Sequence, residues 1–113
     1  MRLSNSNEKE KFSNVWVLAE LLSGKIQPVT FELIGAARSL ADARKSQVWV
    51  VVMAHGIGDQ AQGLIAYGAD KMIVVDDARL YGFVDEIEAR VMVRLIDKYK
   101  PEILLGAATA RGR

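Results

Sequence analysis

The residues most able to do chemistry sit in a few short stretches. The chain's last stretch, Gly106-Ala107-Ala108-Thr109-Ala110-Arg111-Gly112-Arg113, follows an apolar run. Its glycines let backbone N–H groups approach a phosphate or a neighbouring chain, Thr109 can cap a helix, and Arg111 and Arg113 add positive charge. The Gly106-x-x-Thr109-x-x-Gly112 spacing is neither a Walker loop nor a GxGxxG fingerprint, so a packing and partner-contact loop stands beside the phosphate reading. Glu20 follows another apolar run and can take an ion pair or a backbone contact near Arg111 or Arg113. General-base work would need a partner acid or nucleophile. Gly56-Ile57-Gly58 lacks the third glycine and the distant acid of a dinucleotide site, and reads as a tight turn. His55 is the single histidine and reads as a loop residue. Asp76-Asp77 could hold a hard cation, or could solvate and cap the segment that follows.

These residues need a frame, and the frame alternates strand and helix signals. Four short apolar runs are predicted as strands: Val15–Ala19, Val48–Met53, Met72–Val75 and Ile103–Leu105, each to be covered on both faces. Three helices are predicted between them. The first runs from Phe31 to Arg44 with Thr30 as N-cap, burying Leu33, Ile34, Ala37, Leu40 and Ala41 and turning Arg38, Asp42 and Lys45 outward. The second spans Asp59–Tyr67 and is closed by a left-handed Gly68. The third runs from Val84 to Tyr99, with Val84, Ile87, Val91, Leu95 and Tyr99 buried and Pro101 beyond its end. Gly24 reads as a turn, and Lys25–Val29 as a small extended excursion.

Right-handed crossovers then favour an open, mainly parallel α/β sheet with helices on both faces and strand order 3-2-1-4. The reversal between the first and fourth strands opens a crevice at their carboxyl ends, where Glu20 and the Gly106–Arg113 loop are expected to meet. Trp16 and Trp49, on neighbouring central strands, are expected to pack in the core. Residues 1–13 are expected to form a flexible arm, and residues 14–113 a single α/β domain that is incomplete at its carboxyl end. The fourth strand should therefore be a sheet edge that needs a cover.

Composition narrows the function classes. The 113 residues are 50% hydrophobic and 26% charged, with a net charge of +1, which suits one compact domain and declares no basic face for nucleic acid or an anionic membrane. The absence of cysteine excludes disulfides, thiolate metal sites and a cysteine nucleophile. No apolar run reaches the roughly 20 residues of a membrane helix, and the polar first residues lack a secretory core, so a cytoplasmic location is expected.

The fragments Val17-Leu18-Ala19-Glu20, Gly24-Lys25-Ile26-Gln27-Pro28-Val29-Thr30, Glu32-Leu33 and Ala36-Ala37-Arg38-Ser39-Leu40-Ala41 resemble the amino-terminal domain of electron transfer flavoprotein alpha subunits. So do Tyr67-Gly68-Ala69-Asp70-Lys71, Val75-Asp76-Asp77 and Lys100-Pro101-Glu102-Ile103-Leu104-Leu105 with the terminal loop. Leu21, Leu22 and His55 depart from the family's habit, which is more polar at the first two positions and smaller at the third. The resemblance implies a Rossmann-like, adenine nucleotide alpha hydrolase-like fold. It also implies a non-catalytic scaffold packed against an electron transfer flavoprotein beta subunit, with FAD held mainly by a carboxyl-terminal domain that this chain does not contain. On that reading the chain binds no cofactor alone and forms a homodimer when isolated. The alternative is a free-standing module that binds AMP or ATP through Glu20, Gly106, Thr109, Arg111, Gly112 and Arg113. No metal, membrane or nucleic-acid partner is expected.

Overall fold

The structure, a computed structural model, describes residues 12–22, 24–56, 58–76 and 85–106. In chain order it contains strand β1 (Val15–Leu18), a two-stranded ribbon of β2 (Leu21–Leu22) and β3 (Lys25–Ile26), helix α1 (Pro28–Arg44) and β4 (Val48–Ala54). A run of 3-10 turns (Gly58–Tyr67), β5 (Lys71–Asp76), α2 (Asp85–Tyr99) and β6 (Ile103–Leu105) complete it. The four longer strands form a parallel sheet in the order β5-β4-β1-β6, while β2 and β3 pair only with each other, antiparallel. Taken as the four expected strands, this is the order third, second, first, fourth. The ribbon is the addition.

Alternation along the strands divides the core in two. Val15, Val17 and Ala19 of the first strand segment and Val48, Val50, Val52 and Ala54 of β4 meet Ile34, Ala37 and Ala41 of α1, with Leu64 and Ala69 closing the layer. On the other face Trp16, Val51 and Met53 meet Val91, Met92, Leu95 and Ile96 of α2. Trp16 is completely buried and stacks on Trp49, with ring centroids 6.0 Å apart and planes 9° apart. Tyr99 meets Trp49 edge-on at 5.4 Å. The indole N–H of Trp16 has no hydrogen-bond partner among the described residues, so this layer is held by packing.

The sheet is not covered evenly. Val74 on β5 and Leu104 on β6 are 44% and 43% exposed, which corrects the expectation that all four strands are covered on both faces. The physical reason is breadth: among the described residues one α-helix on each face shields the central pair, β1 and β4, and leaves the outer strands partly exposed. Tyr99 is likewise 37% exposed rather than fully buried, because it closes the rim of the tryptophan stack. Of the rest of the expected α2 stripe, Val91 and Leu95 pack inward, while Val84 and the Ile87 side chain lie outside what the structure describes.

Two helix starts also differ from expectation. Helix α1 begins at Pro28 rather than Phe31, with Gln27 in an extended conformation at the cap position and no side-chain capping bond. Proline's fixed φ suits the first helical position, so the helix nucleates there, and Thr30 becomes an interior residue whose N–H bonds the Gln27 carbonyl at 2.9 Å. The expected helix over Asp59–Tyr67 is a run of 3-10 turns starting at Gly58. Gly58 and Gly63 both lower helix propensity, and Leu64 is fully buried while Ile65 and Tyr67 are exposed. Gly68 does take positive φ, at +116°, and its N–H bonds the Ile65 carbonyl at 3.1 Å.

The amino-terminal end of the sheet is bolted by polar side chains. Asp70 Oδ2 accepts from the Val48 N–H at 2.8 Å and from Arg38 at 2.8 Å, while its own N–H bonds the Val48 carbonyl at 2.8 Å. Arg38 also donates to the Gly68 carbonyl at 3.0 Å and pairs with Asp42. Arg38 was expected to face outward with Asp42 and Lys45; instead it is partly buried and ties α1 to the β4 and β5 entries. Asn14, at φ 78°, accepts from the Gln47 N–H through its side chain and from the Glu102 N–H through its carbonyl, both at 3.0 Å. The N–H of Ser13 adds a bond to the Lys100 carbonyl at 3.1 Å.

The Asp42–Asp70–Arg38 group sets a pH dependence. Hydrogen bonding to Asp70 is the main reason the Arg38 pKa rises, opposed by burial and aided by the Asp70 and Asp42 charges. For Asp70, burial pushes the pKa up. The Val48 N–H and then the bond and charge of Arg38 outweigh it, so the carboxyl is more acidic than its ordinary value of 3.8. Asp70 therefore contributes stability above that value and loses it as pH falls below it. Asp70→Asn should lower unfolding free energy at neutral pH by about 1 kcal/mol and shrink the stability lost below about pH 4, read by thermal melts across pH. Parallel acid losses in both proteins would show that another group is responsible. Lys45, which closes α1 at φ 55°, should yield about 0.5–1 kcal/mol of added stability on Lys45→Gly in urea denaturation.

Candidate functional site

The crevice lies where the strand order reverses. Strand β1 pairs with β4 on one side and β6 on the other, both parallel, and the crossovers leave it in opposite directions. The carboxyl ends of β1 and β6, on either side of this reversal, are the place where open α/β sheets admit ligands and partners. The Val17–Leu105 pair is the last on this side. Gly106 directly follows β6, and Glu20 lies three residues past Val17 on the β1 side. Both therefore leave the sheet at the same rim. The remaining residues expected here, Thr109, Arg111, Gly112 and Arg113, lie outside the described residues, as does Asp77.

The backbone around Glu20 is tightly held. The Ala19 N–H extends the ladder to the Val51 carbonyl at 2.9 Å, after which the chain turns away from the sheet. The Glu20 N–H then donates to the Thr30 hydroxyl at 2.9 Å, and the Glu20 carbonyl accepts from the Gln27 N–H at 2.8 Å. Sequence reasoning placed Thr30 at a helix cap and overlooked this contact. A signal was present: Thr30, Ile34, Ala37 and Ala41 share one helical stripe, so the hydroxyl had to face the interior and find a partner there. No local pattern pointed to Gln60, which reaches the ribbon from 34 residues away.

A second group gathers at the carboxyl ends of β4 and β5. Asp76, paired with Ala54 in the ladder, accepts from the Gly56 N–H at 3.1 Å and stands 3.5 Å from His55 Nδ1. Both side chains are about half exposed, at 50% and 51%. Asp76 thus holds the turn after β4. No cluster of three or more metal-ligating side chains exists among the described residues.

A flavin dinucleotide would require closely spaced backbone amides for its pyrophosphate, offered by a tight glycine turn opening an α-helix. Among the described residues, the turn after β4 opens a run of 3-10 turns and not an α-helix, so this turn does not offer that arrangement; the loop that follows Gly106 lies outside the described residues. Among the described residues no helix is long and apolar enough to cross a membrane.

The electron transfer flavoprotein domain pattern matches residues 15–113, a range that includes every described strand and helix. This chain belongs to the electron transfer flavoprotein family. It is 36% identical over 102 residues to an electron transfer flavoprotein subunit alpha of Thermoanaerobacterium thermosaccharolyticum, covering 90% of this chain and 31% of that protein. It is 37% identical over 109 residues to the acryloyl-CoA reductase electron transfer subunit beta of Anaerotignum propionicum, covering 96% and 30%. The lactate dehydrogenase (NAD(+),ferredoxin) subunit LctC of Acetobacterium woodii is 40% identical over 106 residues, covering 94% and 25%. The chain spans about a third or less of the length of these curated relatives. Within the electron transfer flavoprotein domain, Gly56 is tested simply: at φ +70°, Gly56→Ala should cost about 1 kcal/mol in chemical denaturation although its methyl group meets open space.

Proposed function

We propose that this chain is the scaffold and subunit-interface domain of an electron transfer flavoprotein of alpha type. It supports electron transfer by FAD held outside these residues and makes no catalytic contribution of its own. The observation that carries this reading is the family match over residues 15–113. A beta-type subunit is the partner, and the working location is the cytoplasm. Without that partner, the β6 edge, which pairs with no further strand among the described residues and carries the exposed Leu104, favours pairing with a second copy, because unpaired strand edges seek hydrogen bonds.

The alternative is an adenine-nucleotide-binding module using Glu20, Gly106, Thr109, Arg111, Gly112 and Arg113. It is supported by the position of Glu20 and Gly106 at the switch point, the usual nucleotide side of such sheets.

Co-expression with an electron transfer flavoprotein beta subunit, followed by size-exclusion chromatography with light scattering, should give a stable heteromeric complex. The chain purified alone should be colourless and dimeric. A stoichiometric visible flavin spectrum from the isolated chain, or failure to bind the beta subunit, overturns the scaffold reading. Calorimetric binding of AMP or ATP that weakens on Gly112→Val or Thr109→Ala selects the alternative.

A further inference from the structure

Three lysines lie over aromatic rings near the amino-terminal end of the sheet, two of them on the face that α2 covers. Lys71, the first residue of β5, sits beside Trp49 in the β4–β5 ladder, and its Nζ is 5.2 Å from the centre of the indole. Lys98 Nζ is 5.2 Å from the centre of the Tyr99 ring, and Lys100 Nζ is 5.4 Å from that of Phe12. Because Tyr99 meets Trp49 edge-on at 5.4 Å, Lys71, Trp49, Tyr99 and Lys98 form one continuous surface, which Lys100 extends past the end of α2. Arg94, exposed and one helical turn before Lys98, adds a fourth cation.

These cations are placed differently from the arginines of α1. Arg38 is paired with Asp42 and Asp70, and Arg44 with Glu102. Among the described residues no carboxylate lies within 4.0 Å of Lys71, Arg94, Lys98 or Lys100, and no hydrogen-bond acceptor meets the three lysine ammonium groups. Asp97 is the only carboxylate in the stretch Val93–Tyr99. The polarity of α2 accounts for lysines at its end, and a charge on an outer strand discourages strand-to-strand association, but neither brings Lys71 of β5 and Arg94 of α2 onto one surface. Resting against a ring, an ammonium keeps its place without giving up its N–H donors, so part of the rotamer freedom that a lysine loses on meeting an anion is already lost. The rings themselves are not offered to a nucleic-acid base, which needs an open aromatic face. Trp49 has Trp16 parallel to it at 6.0 Å and the Lys71 ammonium over it, and Tyr99 carries Lys98. What faces solvent is a set of positive donors drawn from two elements, complementary to carboxylates.

We propose that Lys71, Arg94, Lys98 and Lys100 form a docking surface for a carboxylate-rich segment of a partner protein. The surface lies toward the opposite end of the sheet from the β1/β6 crevice, and it goes beyond the scaffold reading without depending on it. Binding there is steered by charge and weakened by salt, because the cations sit at the surface.

The test titrates the full chain with a poly-glutamate peptide at low salt, followed residue by residue by NMR. Chemical-shift changes should concentrate at Lys71, Arg94, Lys98 and Lys100. Raising the salt from about 20 mM to about 200 mM should weaken binding by about tenfold, and the double variant Lys71→Gln, Lys98→Gln should weaken it by about tenfold at the lower salt. The same loss of charge placed elsewhere, Lys25→Gln with Lys45→Gln, should change it by less than about threefold. No binding at low salt, shifts centred on another surface, or equal losses in the two double variants overturns the proposal. Tighter binding of an oligothymidylate of equal length, or of vesicles containing phosphatidylglycerol, overturns the assignment to a protein partner. The shift map of the unaltered chain decides the location by itself, even where a variant unfolds.

Discussion

Strand β1 must satisfy four demands at once, and the rest of the fold follows from them. It pairs through its backbone on both edges, with β4 and β6, and it buries side chains on both faces, Val15 and Val17 toward α1 and Trp16 toward α2. Only a segment that is apolar throughout can do this, because any polar side chain on either face would be desolvated without a partner. Four residues suffice because β4 carries the same double-faced pattern for seven, and the two strands run in register from Val15–Val48 to Leu18–Val51.

The two ends of the sheet are then built differently. At the amino-terminal end, Arg38, Asp70 and Asn14 tie helix, strand entries and loops together with charge-assisted and backbone-mimicking bonds. These groups serve cohesion: they bond to backbone atoms that would otherwise lack partners where strands begin. At the carboxyl end, single side chains hold connections in place, Thr30 at Glu20, Asp76 at Gly56 and Gln60 at the ribbon. Rigid strands below and individually anchored loops above form the usual division of labour in α/β proteins between stability and recognition.

Family membership gives this division a context. Relatives named as subunits of electron transfer flavoproteins and of acryloyl-CoA reductase and lactate dehydrogenase systems share 36–40% identity with the chain over nearly its whole length. On the scaffold reading proposed above, a sheet with partly exposed outer strands and an anchored rim would offer such assemblies fixed surfaces, since complementarity between subunits depends on backbone that does not have to be ordered at the moment of docking.

By itself, the sequence determined the four apolar strands, the helical stripe of Ile34, Ala37 and Ala41, the strand order and the family, because burial on two faces and crossover handedness leave a direct imprint on residue type and spacing. It also placed Glu20 and Gly106 at one rim, which follows from order alone. Only the tertiary structure decided the start of α1 at Pro28, the 3-10 run after β4, the exposure of Val74 and Leu104, and the inward role of Arg38. It alone joined Gln60 to Ile26 and Thr30 to Glu20. Those features depend on contacts between residues 10 to 34 positions apart, and on how far one helix can shield a four-stranded sheet. Local periodicity records which face is buried, but it does not record which distant polar group arrives to satisfy it.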